Sequence, residues 1–156
     1  MLWGTSDTPL GRMIAKWYST YRGTQPFSAP YSSLGWLDDL GALKGAAIFT
    51  GYTGPNIDIH LLIDKHPSIK MRNDIYKYVF DFLECQRLTG IVPATHTRLK
   101  RLVEGLGFHL EGVLQYYYGP LDKALIYGLY ATDVRKVRYG HVAKHSRDTN
   151  HYPATG

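Results

Sequence analysis

The chain has 156 residues and a single cysteine, Cys85, so no intrachain disulfide can form and a reducing compartment suits it. No apolar run approaches the roughly 20 residues that a membrane-spanning helix needs. The opening MLWGTSDTPLG lacks a basic region followed by a long apolar stretch, so no secretory signal is expected there. The seven histidines are scattered. Their one pair at i, i+4 spacing, His141 and His145, falls in the C-terminal tail and on no expected helix, so no metal cofactor is expected. Internal repeats and low-complexity segments are also lacking. What remains is a globular composition, 44% hydrophobic and 20% charged, in a chain long enough to bury a core without metal or disulfide.

The net charge is +5, and it is uneven. From Val134 to the end, Arg135, Lys136, Arg138, Lys144 and Arg147 face one acid, Asp148, so this tail carries four of the five net positive charges. The expected division is a domain over residues 1–133 and a basic tail over residues 134–156. A basic tail suits nucleic acid, an acidic protein or an anionic surface, or simply keeps the chain soluble. Aromatics that could stack on bases are thin there, only Tyr139 and Tyr152. A polar tail is ordered where something packs on it, so a partner protein or a second subunit is the expected contact. No membrane contact is expected.

Element signals are clear in the body. A short strand at Met1–Gly4 precedes an N-cap at Ser6 or Asp7, with Pro9 near the first helical position. Leu10, Met13, Ile14 and Trp17 have the spacing of an amphipathic helix. Residues 23–35 are rich in Gly, Pro and Ser and read as loop. GWLDDLGALKGAAIFTGYTG reads as a hairpin turning around Asp38–Gly41. In NIDIHLLID, Ile57, Ile59 and Leu61 alternate with Asn56, Asp58 and His60, as in a strand. A helix is expected from about Met71 to Glu84, burying Ile75, Tyr78, Val79, Phe82 and Leu83. RLTGIVPA reads as a strand. A helix with Leu99, Leu102, Val103 and Leu106 on one face follows and stops at Gly107. HLEGVLQYYYG and KALIYGLYAT form a closing hairpin. The order β-α-β-β-β-α-β-α-β-β implies an α/β sheet with helices packed on it.

That order, together with HTRLKRLVEGLGFHLEG over residues 96–112, resembles the GNAT superfamily of N-acetyltransferases, and most of all its short phage-type members. Gly107 and Phe108 fill the family's Gly-Phe break, and Glu111-Gly112 open the next strand. Gly107 supplies a left-handed cap and Phe108 an aromatic plug, so the motif speaks for fold before activity. The resemblance covers roughly residues 1–133. It implies a mixed, mostly antiparallel sheet and transfer of an acetyl group from acetyl-CoA to an amine. It places the coenzyme between two central strands, along Leu61 and Leu62. The phosphates would lie at the loop and helix start carrying Lys65, Lys70, Met71, Arg72 and Asn73, with His96 at the next helix.

Three departures stand out. The KHPSIKMRND loop contains no glycine, so side chains at Ile69 and Met71 limit backbone approach to a phosphate. His96 stands where many relatives have Asn. Val103 stands where many have a tyrosine able to protonate the departing thiolate. Acetyl transfer needs a base, an oxyanion donor and near-attack geometry. Asp58 and His60 share one face of their strand, so Asp58 could orient His60 as the base, or the two could be a satisfied polar pair. Glu111 is the second candidate base. The alternative is a fold that has lost catalysis and serves as a phage virion or assembly protein through its tail. The expected location is accordingly host cytoplasm or virion.

Overall fold

The computed structural model describes residues 1–64 and 66–135. Its element order is β1 (Leu2–Thr5), α1 (Pro9–Arg22), β2 (Ser32–Leu37), β3 (Leu43–Thr50), β4 (Asn56–Ile63), α2 (Ile69–Tyr76), a π-helical turn (Lys77–Phe82), β5 (Arg87–Pro93), α3 (Thr97–Gly105), β6 (His109–Gly119) and β7 (Asp122–Tyr130). This is the order expected from the hydrophobic patterning. The strands form one seven-stranded sheet, β1-β2-β3-β4-β5-β7-β6. Every neighbouring pair is antiparallel except β4 and β5.

Period-2 alternation divides the interior into two cores. Ala46 and Ile48 of β3 and Leu62 of β4 meet Ile14, Ala15 and Tyr18 of α1. On the other face, Ala47, Phe49, Ile57, Ile59 and Leu61 meet α2, the π-turn and α3 through Met71, Ile75, Val79, Phe80, Val103 and Phe108. Asp38 shapes the β2–β3 turn: its Oδ1 accepts from the amides of Leu40 and Ala42, each at 2.9 Å.

Four expectations need correction. The segment read as loop over residues 23–35 gives way to β2 at Ser32, where Ser32 to Gly35 pair with both β1 and β3. The cap of α1 is Thr8, not Ser6 or Asp7. Its Oγ1 accepts from the Gly11 amide at 3.2 Å, and Pro9 takes the first helical position. The buried face of α1 is Gly11, Ile14, Ala15, Tyr18 and Ser19, whereas Met13 is exposed. That face is rotated because Gly11 lets α1 touch β1: a Cβ there would lie 2.2 Å from the Thr5 carbonyl oxygen. Finally, the helix expected to run to Glu84 loses its α register at the π-turn, where the Leu83 amide donates to Tyr78 O, five residues back, at 2.9 Å. Phe80 is buried as a result, and Phe82, expected in the core, is 68% exposed.

α3 ends as expected. Gly107 has φ +92, its amide donates to Glu104 O at 3.0 Å, and the Phe108 amide donates to Val103 O at 3.1 Å. This pair of bonds is the Schellman closure. Phe108 then enters the α2/α3 core.

Candidate active site

The parallel pairing of β4 with β5 runs from Asn56–Arg87 to Ile59–Gly90 and stops there. Beyond that point β4 continues to Ile63 beside β3, while β5 continues to Pro93 beside β7. The sheet therefore splays open between its two central strands. A slot of about 50 Å³ lies in the opening, walled by Ile59, His60 and Leu61 of β4, Gly90 to Val92 of β5, Leu99 and Val103 of α3, and Tyr18 of α1. A wider pocket of about 260 Å³ adjoins it, lined by Arg22, Leu62, Ile63, His96, Arg98 and Leu102 among others.

Of the two leucines assigned to the coenzyme, Leu61 faces the opening. Its carbonyl accepts from Arg22 Nη2 at 2.9 Å. Strand residues present N–H and C=O to the same side, so the Leu61 amide also faces the slot. Leu62 is out of phase by one and pairs with Ala46 of β3.

Two residues of α1 enter this site, and sequence reading missed both. Tyr18 is buried against the slot, and burial raises its hydroxyl pKa above the ordinary 10.0, with Arg22 acting in opposition. Arg22, one turn on, lies 5.9 Å from the Tyr18 ring centre and 2.9 Å from His96 Nε2. The spacing Gly11, Ile14, Tyr18 was available as a helical stripe, and Arg22 continues it. The more apolar stripe through Met13 concealed it.

His96 is the N-cap of α3, its Nδ1 accepting from the Leu99 amide at 3.2 Å. A neutral imidazole has one acceptor nitrogen, and here both ring nitrogens face N–H donors, so one contact is always mismatched. Burial first, and Arg22 second, push the His96 pKa below its usual 6.5. Arg22 also has a buried Nε with no hydrogen-bond partner. Arg22 thus plugs the opening in an arrangement that leaves a buried donor unsatisfied, which costs stability.

The phosphate-loop residues are placed differently from expectation. Lys65 lies outside the described residues. The amide of Met71 is taken by Ser68 Oγ at 3.1 Å, and the side chain of Met71 is core. Lys70 pairs with Asp74 at 3.0 Å. Arg72 stands over the Tyr76 ring at 5.9 Å, in a separate cleft with His109 and Asp133. Asn73 is exposed on α2. The cleft beside the loop, about 350 Å³, is lined by Asp38, Asp39, Asp64, Lys44 and His66 among others, more carboxylates than cations. The cationic rim of the splay is Arg22 and Arg98 instead, beside the neutral His96, with the Arg98 guanidinium donating to Asp64 O.

The candidate bases also separate. His60 borders the slot and shares a 3.0 Å hydrogen bond with Thr50 Oγ1. Part of His60 reaches solvent, yet its ring meets the edge of Phe27 at 5.0 Å. Desolvation lowers its pKa, against the pull of Asp58. Asp58 turns to Asn56 Nδ2 at 3.1 Å, and Thr89 donates to Asn56 Oδ1 at 2.6 Å. Glu111 lies away from the slot. Its carboxylate pairs with Arg87 at 2.6 Å and accepts from Tyr130, and the Arg87 bond, then the Tyr130 bond, hold its pKa down. A Cβ at Gly128 would sit 2.2 Å from Glu111 Oε1, so this glycine makes room for the pair.

The solved structures most usefully compared with this geometry are acetyltransferases. A spermidine/spermine N-acetyltransferase from Vibrio cholerae superimposes with TM-score 0.58 at 16% identity, over 68% of each chain. A dodecameric structure of spermidine N-acetyltransferase from the same organism gives 0.62 at 13% identity, over 85% of this chain and 95% of that one. A putative acetyltransferase of the GNAT family from Desulfovibrio desulfuricans gives 0.60 at 19% identity, over 83% and 98%. The fold is the GNAT fold. No family model matches the chain, and no curated protein does. Among the described residues, no helix is long and apolar enough to cross a membrane, and no group of three or more His, Cys, Asp or Glu could hold a metal ion.

Proposed function

We propose that the chain is an acetyl-CoA-dependent N-acetyltransferase whose coenzyme enters the β4/β5 splay. The observation that carries this reading is the opening beyond Ile59 and Gly90, with Leu61 presenting its backbone into it under a cationic rim. Bound acetyl-CoA supplies the activated acyl group. Arg22 leaves Leu61 O to admit the pantetheine arm, since about 50 Å³ holds little more than one water molecule. Arg22 and Arg98 then face the coenzyme's phosphates. The Leu61 amide donates to the developing oxyanion. His60, neutral at pH 7 because its pKa is lowered, accepts the amine proton directly or through a water molecule. Tyr18, kept protonated by burial, donates to the departing thiolate in place of a tyrosine at position 103. The acceptor is a primary amine. Spermidine, the substrate named for two of the structural neighbours, is the natural first compound to test.

The test is thiol release from acetyl-CoA against a panel of amines, including spermidine and lysine peptides. Tyr18→Phe and His60→Gln are each expected to lower kcat by about 10²-fold or more, with KM for acetyl-CoA little changed. Equal turnover by wild type and both variants would refute the assignment.

A second reading has its own observation: the Arg22 plug and the acidic cleft beside the former phosphate loop suit a fold that no longer binds coenzyme. In that reading the chain is a phage-type virion or assembly protein docking through residues 134–156, of which residues 136–156 lie outside the described ones.

A further inference from the structure

Arg72, expected at the coenzyme's phosphates, borders a cleft of its own. That cleft, about 390 Å³, lies between α2, the end of α3 and the start of β6, and it shares no lining residue with the β4/β5 splay. Its volume is that of a small-molecule site. Leu106, Leu129 and Val134 give it apolar walls. Gly105 leaves room inside it: a Cβ added there would meet nothing within 4 Å. Charge enters at two points. At one, the Arg72 guanidinium stands 5.9 Å over the Tyr76 ring, and Tyr76 is itself fixed by donating to Leu106 O at 2.5 Å. At the other, Asp133 pairs with His109 at 3.0 Å.

Arg72 is uncommitted. Among the described residues it has no ion pair, and its Nε is buried without a hydrogen-bond partner. A buried N–H of a charged group with no acceptor is rare in folded proteins and costs stability. The contact with a half-buried tyrosine ring offsets little of that cost. We propose that this cleft binds a small monocarboxylate with an apolar body, anchored by Arg72. The Nε and Nη edge of a guanidinium is a planar fork, and a carboxylate matches it with two parallel hydrogen bonds. Arg72 swings off the Tyr76 ring into the cleft and exchanges a weak ring contact for the acceptor that its Nε lacks. The apolar body then lies along Leu106, Leu129 and Val134. Asp133 supplies the selectivity: its negative charge opposes a second one, which disfavours a phosphate or a dicarboxylate. His109 already holds Asp133, so an amine finds no open carboxylate there. The site is separate from the coenzyme reading and stands or falls without it.

Hexanoate is the probe, titrated into the full chain labelled with nitrogen-15 and followed by NMR at the arginine Nε–H signals. A dissociation constant of about 1 mM or tighter is expected. The Arg72 signal, assigned by its loss in Arg72→Lys, should move downfield as the hydrogen bond forms. Arg72→Lys keeps the charge but loses the fork, so it should bind about tenfold more weakly or worse. Gly105→Leu fills the cleft and puts a better helix former in the last turn of α3, so it should fold and abolish binding. It keeps the proposal open to test if Arg72→Lys fails to fold. Hexanol, which lacks the carboxylate, and inorganic phosphate should each bind at least about tenfold more weakly than hexanoate. Acetyl-CoA should leave the hexanoate constant unchanged. An Arg72 signal that stays still at about 20 mM hexanoate would overturn the proposal, as would hexanol or phosphate binding equal to hexanoate. So would a folded Gly105→Leu that binds like the wild type, or displacement of hexanoate by acetyl-CoA, which would assign the cleft to the coenzyme.

Discussion

His96 and Arg22 show how much one misplaced proton can do. Both nitrogens of His96 face donors, and a protonated ring would add a cation next to a guanidinium 2.9 Å away. His60 on the neighbouring strand is likewise shifted down, by desolvation under Phe27 and its surroundings. A histidine whose folded pKa lies below its unfolded 6.5 contributes stability that is complete above that value and lost as pH falls through the folded pKa. Urea midpoints measured from pH 8 to pH 5 should therefore hold steady in the upper part of the range and fall in the lower. Arg22→Ala should flatten part of this fall, because Arg22 is the second cause of the His96 shift. A profile that stays level to pH 5 would show that neither ring is desolvated as described.

At the scale of elements, the π-turn decides which aromatic residue is core. Phe80→Ala removes a buried ring and should cost about 3–5 kcal/mol in denaturant unfolding. Phe82→Ala removes a largely exposed ring that touches Trp3 and Tyr78, and should cost about 0.5–1.5 kcal/mol. Equal costs would mean that the helix keeps its α register. This was the place where pattern reading failed: a period of 3.6 projected through residues 77–82 puts Phe82 inside, and no local signal marks the extra residue. Other elements were legible because their causes are local. Asp38 and Gly41 make the β2–β3 turn, alternation makes β4, and Gly107-Phe108 closes α3. The α1 face was misread because its orientation depends on a backbone contact with β1, which no spacing rule records.

For the whole molecule, the order of elements along the chain was legible and the contents of the opening were not. The splay follows from the parallel β4/β5 pair and from the crossover through α2 that makes it parallel. What fills it comes from α1, 39 residues before Leu61 in the chain, so neither Tyr18 nor Arg22 announces itself as a neighbour of β4. Conversely Asp58 and His60, adjacent on one face, find different partners, and Glu111 is committed to Arg87. The cationic rim lies at Arg22 and Arg98, while the loop expected to hold phosphate borders three aspartates. The most direct measurement is calorimetric titration of acetyl-CoA into the full chain, its Arg98→Glu variant and its Arg22→Ala variant. Expected are micromolar binding by the wild type and a weakening of about tenfold or more in Arg98→Glu, equivalent to about 1.4 kcal/mol or more. In Arg22→Ala binding should persist, because the plug is gone and Arg98 remains. Absence of binding at millimolar ligand in both the wild type and Arg22→Ala would contradict the coenzyme site and leave the non-catalytic reading standing.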